Sequence, residues 1–347
     1  MSDFNLLIIN WYRQNKRNLP WRITKDPYKI WLSEIILQQT KVDQGLKYYI
    51  KFSTNYPTIS DLSNAKEQTV LSDWQGLGYY SRARNLHASA KMIMNEFNGK
   101  FPNNYKDILK LKGVGNYTAS AIASFAFNLP HAVVDGNVYR VLSRIFDISN
   151  PIDSKEGQHI FNSLAQELLN KDFPAEHNQA IMEFGALQCI PSSPNCEICP
   201  FIQSCLSQKN KTIKIRPVKK SKTKVRNRFF HFLHIEDKTH ILLQKRSEKD
   251  IWQNLYQFPL IEKDTVEDLR QVEKEITDKY GVNAELEKSG VKHILSHQHL
   301  FTTFWRMKEL PEILKENSEY EWVDKKELGR FPIPRVIERY LEEMNDD

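Results

Sequence analysis

Four cysteines fall within 17 consecutive residues of this 347-residue chain, and there are none elsewhere. Cys189, Cys196, Cys199 and Cys205 are spaced C-x6-C-x2-C-x5-C, so one compact loop can bring four thiols around a common centre. Disulfides need an oxidising compartment. The first 17 residues offer only the short apolar patch Leu6–Ile9 and no small-residue cleavage site, which does not make a secretory signal. Zinc ribbons usually present two Cys-x2-Cys knuckles, and this loop has one. Iron–sulfur clusters are held by four cysteines at more varied spacings. The intervals therefore favour an iron–sulfur cluster and leave zinc open.

The length is about twice that of a typical domain, so two domains are expected. Up to residue 207 apolar residues recur at three- and four-residue spacing, as in Leu6–Tyr12, Ile30–Leu37, Leu86–Phe97, Ala119–Phe127 and Val138–Phe146. From 229 the pattern changes. Phe229–Ile235, His240–Lys245 and Leu300–Trp305 read as strands, whereas Val266–Tyr280 and Ile333–Met344 read as helices. The expected fold is an all-α domain over 1–207, a linker over 208–228, and a smaller α+β domain over 229–347. Between Lys209 and Arg228 stand ten basic residues and no acid, and the rest of the chain carries a net charge of −4. Such a run suits a segment lying along a polyanion, or a linker kept extended by self-repulsion. No run of 18 apolar residues exists, so no membrane helix is expected and the chain reads as cytoplasmic.

Leu111-Lys112-Gly113-Val114-Gly115 precedes a helix start at Asn116. Two glycines and a helix N-terminus suit a phosphate, although an ordinary helix–turn–helix link has the same look. Twenty residues beyond Gly115 comes Asp135, which as a bare residue reads equally as an N-cap.

Taken together, Gly113-x-Gly115, Asp135 and C-x6-C-x2-C-x5-C resemble the helix–hairpin–helix DNA glycosylases of the endonuclease III superfamily. Leu19-Pro20-Trp21-Arg22, Trp31-Leu32-Ser33-Glu34, Leu37-Gln38-Gln39-Thr40 and Gly76-Leu77-Gly78-Tyr79-Tyr80 narrow the resemblance to adenine DNA glycosylases of the MutY type. It implies a helix–hairpin–helix glycosylase domain with an iron–sulfur loop, followed by a Nudix-like domain, in a monomer that excises adenine opposite 8-oxoguanine or guanine in duplex DNA. The cysteines would hold a [4Fe–4S] cluster.

By that resemblance Glu34 protonates the leaving adenine and Asp135, supported by Asn137, stabilises the cationic sugar. Trp21, Arg22, Leu37 and Gln179 line the adenine pocket. Gln38, Gln39, Thr40 and Tyr79 probe the duplex, and Gly113 and Gly115 grip its backbone. Ser296 and His297, in Leu295-Ser296-His297, meet the oxidised base, although Leu295 stands where the family usually has an aromatic. Val272–Gly281 keeps little of a Nudix box, so recognition is expected there, not hydrolysis. The chief alternative is an endonuclease III-like enzyme that removes oxidised pyrimidines and cuts the strand through a lysine Schiff base. Tyr117 occupies that lysine's place and cannot form one. An iron–sulfur electron carrier and a Nudix pyrophosphatase fit less well.

Overall fold

The computed structural model describes residues 2–220, 225–315, 317 and 319–346; Lys222 and Lys224 of the basic run lie outside them. The chain divides into two compact units: Met1–Asn64 with Asn85–Lys222, and Ala65–Arg84 with Thr223–Asp347.

The first unit is helical. Its main helices are Ser2–Asn15, Pro27–Leu37, Val42–Asn55, Asn116–Phe127, Gly136–Ile145, Lys155–Leu168 and Pro174–Leu187. Leu6–Tyr12, Ile30–Leu37 and Ala119–Phe127 fall within them, Val138–Phe146 runs one residue past Ile145, and Leu86–Phe97 runs one residue past the helix Ser81–Glu96. Pro27 opens its helix because the missing N–H is not needed in the first turn, and the Asp26 carboxylate accepts the Tyr28 N–H. Eight of that helix's eleven residues are buried, and this carries Glu34 inside among Ile30, Trp31, Ile35 and Ile36. The core packs Phe4, Ile8 and Tyr12 against Val138, Val141 and Leu142, and against Ala180, Ile181 and Phe184. Phe201, from the cysteine loop, joins this core. Each such side chain stabilises the fold by roughly 1.5–3 kcal/mol, so the loop is tied to the helices by packing as well as by its thiols.

Of the linker expected over 208–228, the part up to Lys220 is folded against the first unit. Asp147 follows the helix Gly136–Ile145 and accepts hydrogen bonds from Ser207, Asn210, Thr212 and Arg216. These donors hold its carboxyl down at about 2. Val218 O accepts from Ile152 N at 3.0 Å, and the Lys220 N–H donates to Asp153 at 2.8 Å. Residues 207–220 are thus folded onto the first unit despite their charge, while Arg226 and Arg228 already belong to a strand.

The second unit holds two sheets. Strands β1 (Arg226–Ile235), β4 (Leu260–Lys263), β5 (Ala284–Ile294) and β6 (Gln298–Met307) form one in the order β4-β1-β6-β5, with β1 and β6 parallel. Strands β2 (His240–Lys245), β3 (Tyr256–Gln257) and β7 (Tyr320–Asp324) form the other in the order β3-β2-β7. The helix Leu269–Tyr280 buries Val272, Ile276 and Tyr280 against the first sheet's core, and Arg335–Asp346 ends the unit. Leu295-Ser296-His297 is the turn between β5 and β6, closed by Leu295 N to Gln298 O at 2.8 Å.

Residues 65–84, expected in the helical domain, cluster with the second unit. Gln68 and Ser72 donate to Arg330 O, and Asn254 donates to Glu67. Among the described residues, no helix is long and apolar enough to cross a membrane.

Candidate active site

One cleft in the first unit is lined by Trp21, Arg22, Glu34, Leu37, Gln38, Gln39, Thr40, Tyr117, Asp135, Asn137 and Gln179. Eleven residues singled out in the sequence are therefore gathered in one place.

Glu34 is only 6% exposed and accepts a hydrogen bond from the Tyr117 hydroxyl at 3.0 Å. Burial pushes its carboxyl up to about 7, with Tyr117 and Arg22 opposing and Asp135 reinforcing the rise. A carboxyl at that value still holds its proton in a large fraction of molecules at neutral pH, which is what a general acid requires. Tyr117 lies beneath it and is raised well above the usual phenol range by burial and by the nearby carboxylates. It therefore stays a hydroxyl donor.

Asp135 is both an N-cap and a cleft residue. One carboxylate oxygen accepts Val138 N–H at 2.7 Å and the other accepts the Asn137 amide at 2.8 Å. Burial raises its carboxyl while these hydrogen bonds oppose the rise. A cation forming beside it would favour the ionised state further. The capping position at the start of the helix Gly136–Ile145 fixes the group in the wall of the cleft.

Two residues that sequence reasoning passed over hold these groups in place. Arg140 donates to Asn137 Oδ1 at 2.8 Å, to Gly185 O at 2.7 Å and to Cys189 O at 2.7 Å. It links the Asp135–Asn137 pair to the neighbouring helix and to the cysteine loop. Gly185 permits this closeness, because a Cβ there would stand 2.7 Å from the Asn137 Cβ. Glu183 is 1% exposed and binds Arg22 through both oxygens at 2.8 and 2.7 Å, with Arg17 as a second partner. The arginine partners hold its carboxyl down at about 2 against the opposing effect of burial. Their signal was positional. Arg140 lies one turn after Asn137, and Glu183 one turn after Gln179, so each shares a helix face with a residue already assigned.

The remaining assignments divide. Trp21 is buried edge-on against Tyr49, so its ring is a wall as much as a reader. Gln179 accepts from Tyr12 at 2.8 Å. Gln38 donates to Thr118 at 3.2 Å. Gln39 is exposed in the left-handed region at φ 55°, an unfavourable conformation that tends to persist at ligand-contacting positions. Gly113 needs its glycine, with φ 77° and Asn85 Cβ 3.0 Å from where a Cβ would be. Gly115 is extended and caps the helix Asn116–Phe127 with open space before it, so it leaves the backbone accessible without requiring glycine.

In the second unit Tyr79, at φ 47°, meets the Ser296 hydroxyl with its own. Arg82 supports this loop, donating to Leu77 O and Gly78 O beneath the Tyr79 ring. Ser296 and His297 are both exposed at the tip of the β5–β6 turn, and Leu295 is half-buried.

The four cysteines line one small cavity with Phe184, Phe201, Ile145 and Arg144. Burial raises the Cys196, Cys199 and Cys205 thiols, Cys199 to about 11. Thiols so placed become thiolates only with compensating positive charge, as a metal provides. Arg144 reaches Cys189 Sγ at 3.5 Å and anchors Ile190 O and Pro191 O. Among the described residues, no three His, Cys, Asp or Glu side chains are close enough to hold one metal ion. The donor set, four thiols lining one cavity, fits a thiolate-held metal centre.

Residues 32–167 match the family described as HhH-GPD superfamily base excision DNA repair protein, and residues 231–343 match the NUDIX domain family. An adenine DNA glycosylase of Buchnera aphidicola subsp. Baizongia pistaciae is 38% identical over 92% of this chain and 90% of its own length. That of Buchnera aphidicola subsp. Acyrthosiphon pisum is 33% identical over 98% of this chain and 97% of its own. Among solved structures, a thermostable thymine-DNA glycosylase superposes with a TM-score of 0.57 at 31% identity, covering 60% of this chain and 96% of its own.

Proposed function

The chain belongs to the adenine DNA glycosylase family, and on that premise we propose how its cleft removes adenine from DNA and which mispairs it reads. The protein is a base-excision repair enzyme that hydrolyses the bond between adenine and its sugar. The observation that carries the mechanism is the sharing of one cleft by Glu34, poised near 7, and Asp135, held as a cap.

Excision needs the base out of the stack. Adenine leaves poorly until a ring nitrogen is protonated, and Glu34 supplies that proton from a buried position where Tyr117 fixes one oxygen. Departure leaves positive charge on the sugar, as in glycoside hydrolysis. Asp135 stabilises it, with Asn137 and Arg140 keeping the carboxylate aimed. Glu34, now ionised, takes the proton of the incoming water. Trp21, Arg22, Leu37 and Gln179 enclose the base, and the Glu183 carboxylate sets the angle of the Arg22 fork. Gly113 and Gly115 present backbone amides to phosphates, which gives position without sequence information.

Cys189, Cys196, Cys199 and Cys205 hold a [4Fe–4S] cluster, which when bound ties the loop into one rigid piece. Protein purified anaerobically is expected to be brown, with about four irons per chain. Stoichiometric zinc without iron would refute the cluster.

The substrate is adenine opposite 8-oxoguanine, and less readily opposite guanine. Guanine offers only an acceptor at N7, whereas the oxidised base carries a hydrogen there. The Ser296 hydroxyl can accept that hydrogen bond. The second unit reads the lesion and does not hydrolyse nucleotides, because Val272–Gly281 on and after its helix Leu269–Tyr280 keeps little of a Nudix box. Wild-type protein should bind and excise faster from the 8-oxoguanine:adenine duplex than from guanine:adenine at one fixed salt concentration. Ser296→Ala with His297→Ala should shrink that preference a few-fold to about tenfold, the worth of one neutral hydrogen bond at roughly 0.5–1.5 kcal/mol. Equal activity of wild type on both duplexes would defeat the mispair assignment. An unchanged preference in the double variant would reduce the loop to a turn.

A further inference from the structure

The basic run takes no part in that chemistry, yet its first half is folded and its charges are free. Lys209, Lys211, Lys214, Lys219 and Lys220 are all exposed, and none pairs with a carboxylate among the described residues. The acids of the loop on which the segment rests are engaged elsewhere. Asp147 takes four donors, one of them Arg216, and Asp153 accepts the Lys220 backbone N–H. The anchoring also places the segment. Asp135 caps the N-terminus of the helix Gly136–Ile145, which is about 15 Å long at 1.5 Å per residue, and Asp147 lies just past its C-terminus. The lysines therefore belong to the end of this helix opposite the cleft.

We propose that residues 209–220 form a second DNA-binding surface, which grips the phosphate backbone of duplex DNA without regard to sequence, at phosphates other than those flanking the flipped adenine. It rests on the DNA glycosylase reading above. The composition selects the partner. Lysines act as point charges suited to phosphate, and a duplex presents one negative charge per about 1.7 Å. The segment has no aromatic side chain. It therefore lacks both the stacking platform used for single strands and the tyrosine or tryptophan anchor usual in protein interfaces. The surface would hold the enzyme on undamaged DNA while the cleft is empty.

The test compares wild type with a variant carrying Lys209→Gln, Lys211→Gln, Lys214→Gln, Lys219→Gln and Lys220→Gln, and with the matching five Lys→Arg changes. Affinity for long undamaged duplex is measured across a salt series. The Gln variant should bind more weakly, and its slope of log affinity against log salt should be shallower by up to about 4.5, at about 0.9 for each phosphate no longer neutralised. The Arg variant should keep the wild-type slope. Single-turnover excision from a short mispair duplex at saturating enzyme should be the same for all three, which also shows that each is folded. An unchanged slope in the Gln variant overturns the proposal and points to an acidic protein partner or a bare solvated face. Slower excision at saturation overturns the separation from the cleft. Failure of wild type to excise adenine would instead sink the glycosylase reading.

Discussion

Glu34→Gln is expected to slow single-turnover adenine excision by about 10²–10⁴-fold, the range a positioned general acid supplies, while binding of lesion DNA persists. The amide keeps the shape of the carboxyl and can still accept from Tyr117, but it cannot deliver a carboxylic proton. The wild-type rate should fall as pH rises through about 7, because the reactive form is the protonated one and burial sets its midpoint there. Stability moves the opposite way in the variant. The folded-state value lies above the ordinary 4.5, so stability present below 4.5 is lost as pH rises through 7. Removing the titration should stabilise the variant above pH 7, by roughly 1–3 kcal/mol, with no gain near pH 4. Denaturation of both proteins at the two pH values checks this. Equal stabilities at alkaline pH would mean that Glu34 is better solvated than its burial implies.

The second large effect is expected from Asp135→Asn. Asparagine caps helices about as well as aspartate, so the Val138 N–H keeps a partner, while the Asn137 amide loses its acceptor, a cost of roughly 0.5–1.5 kcal/mol. What disappears is the negative charge beside the developing cation. Loss of one preorganised electrostatic group of this kind costs about 10²–10³-fold. Excision near wild-type rates by this variant would reduce Asp135 to the cap that its bare sequence context also suggested.

Much of this site is legible in the amino-acid sequence alone. The cysteine spacing, the helical periods and the Gly-x-Gly hairpin are local patterns, and local patterns survive in a linear reading. Glu34 was ambiguous, because a glutamate in an apolar helix can face either way. Its side was decided by a helix buried on most of its surface. The supporting groups were harder to see. Arg22 and Glu183 are 161 residues apart, Arg140 and Cys189 49 apart, and neither pair leaves a pattern in sequence. The basic run was open for a different reason. Its lysines suited an extended linker as well as a segment along a polyanion, and the donors that Asp147 collects, which pin it, come from sequence positions 60 to 69 residues away. Residues 65–84 read as part of the helical domain, yet their polar side chains bond to the second unit.

The most direct measurement incubates the protein, in single turnover, with duplexes carrying adenine opposite 8-oxoguanine or an oxidised pyrimidine opposite a normal base. Released base and strand integrity are read from the same sample, with and without borohydride. The cleft geometry predicts free adenine from the first duplex alone, a strand that breaks only after alkali, and no borohydride-trapped adduct at the level of a Schiff-base enzyme, since Tyr117 offers no amine. Release of the oxidised pyrimidine, with strand cleavage and an efficiently trapped adduct, would contradict it.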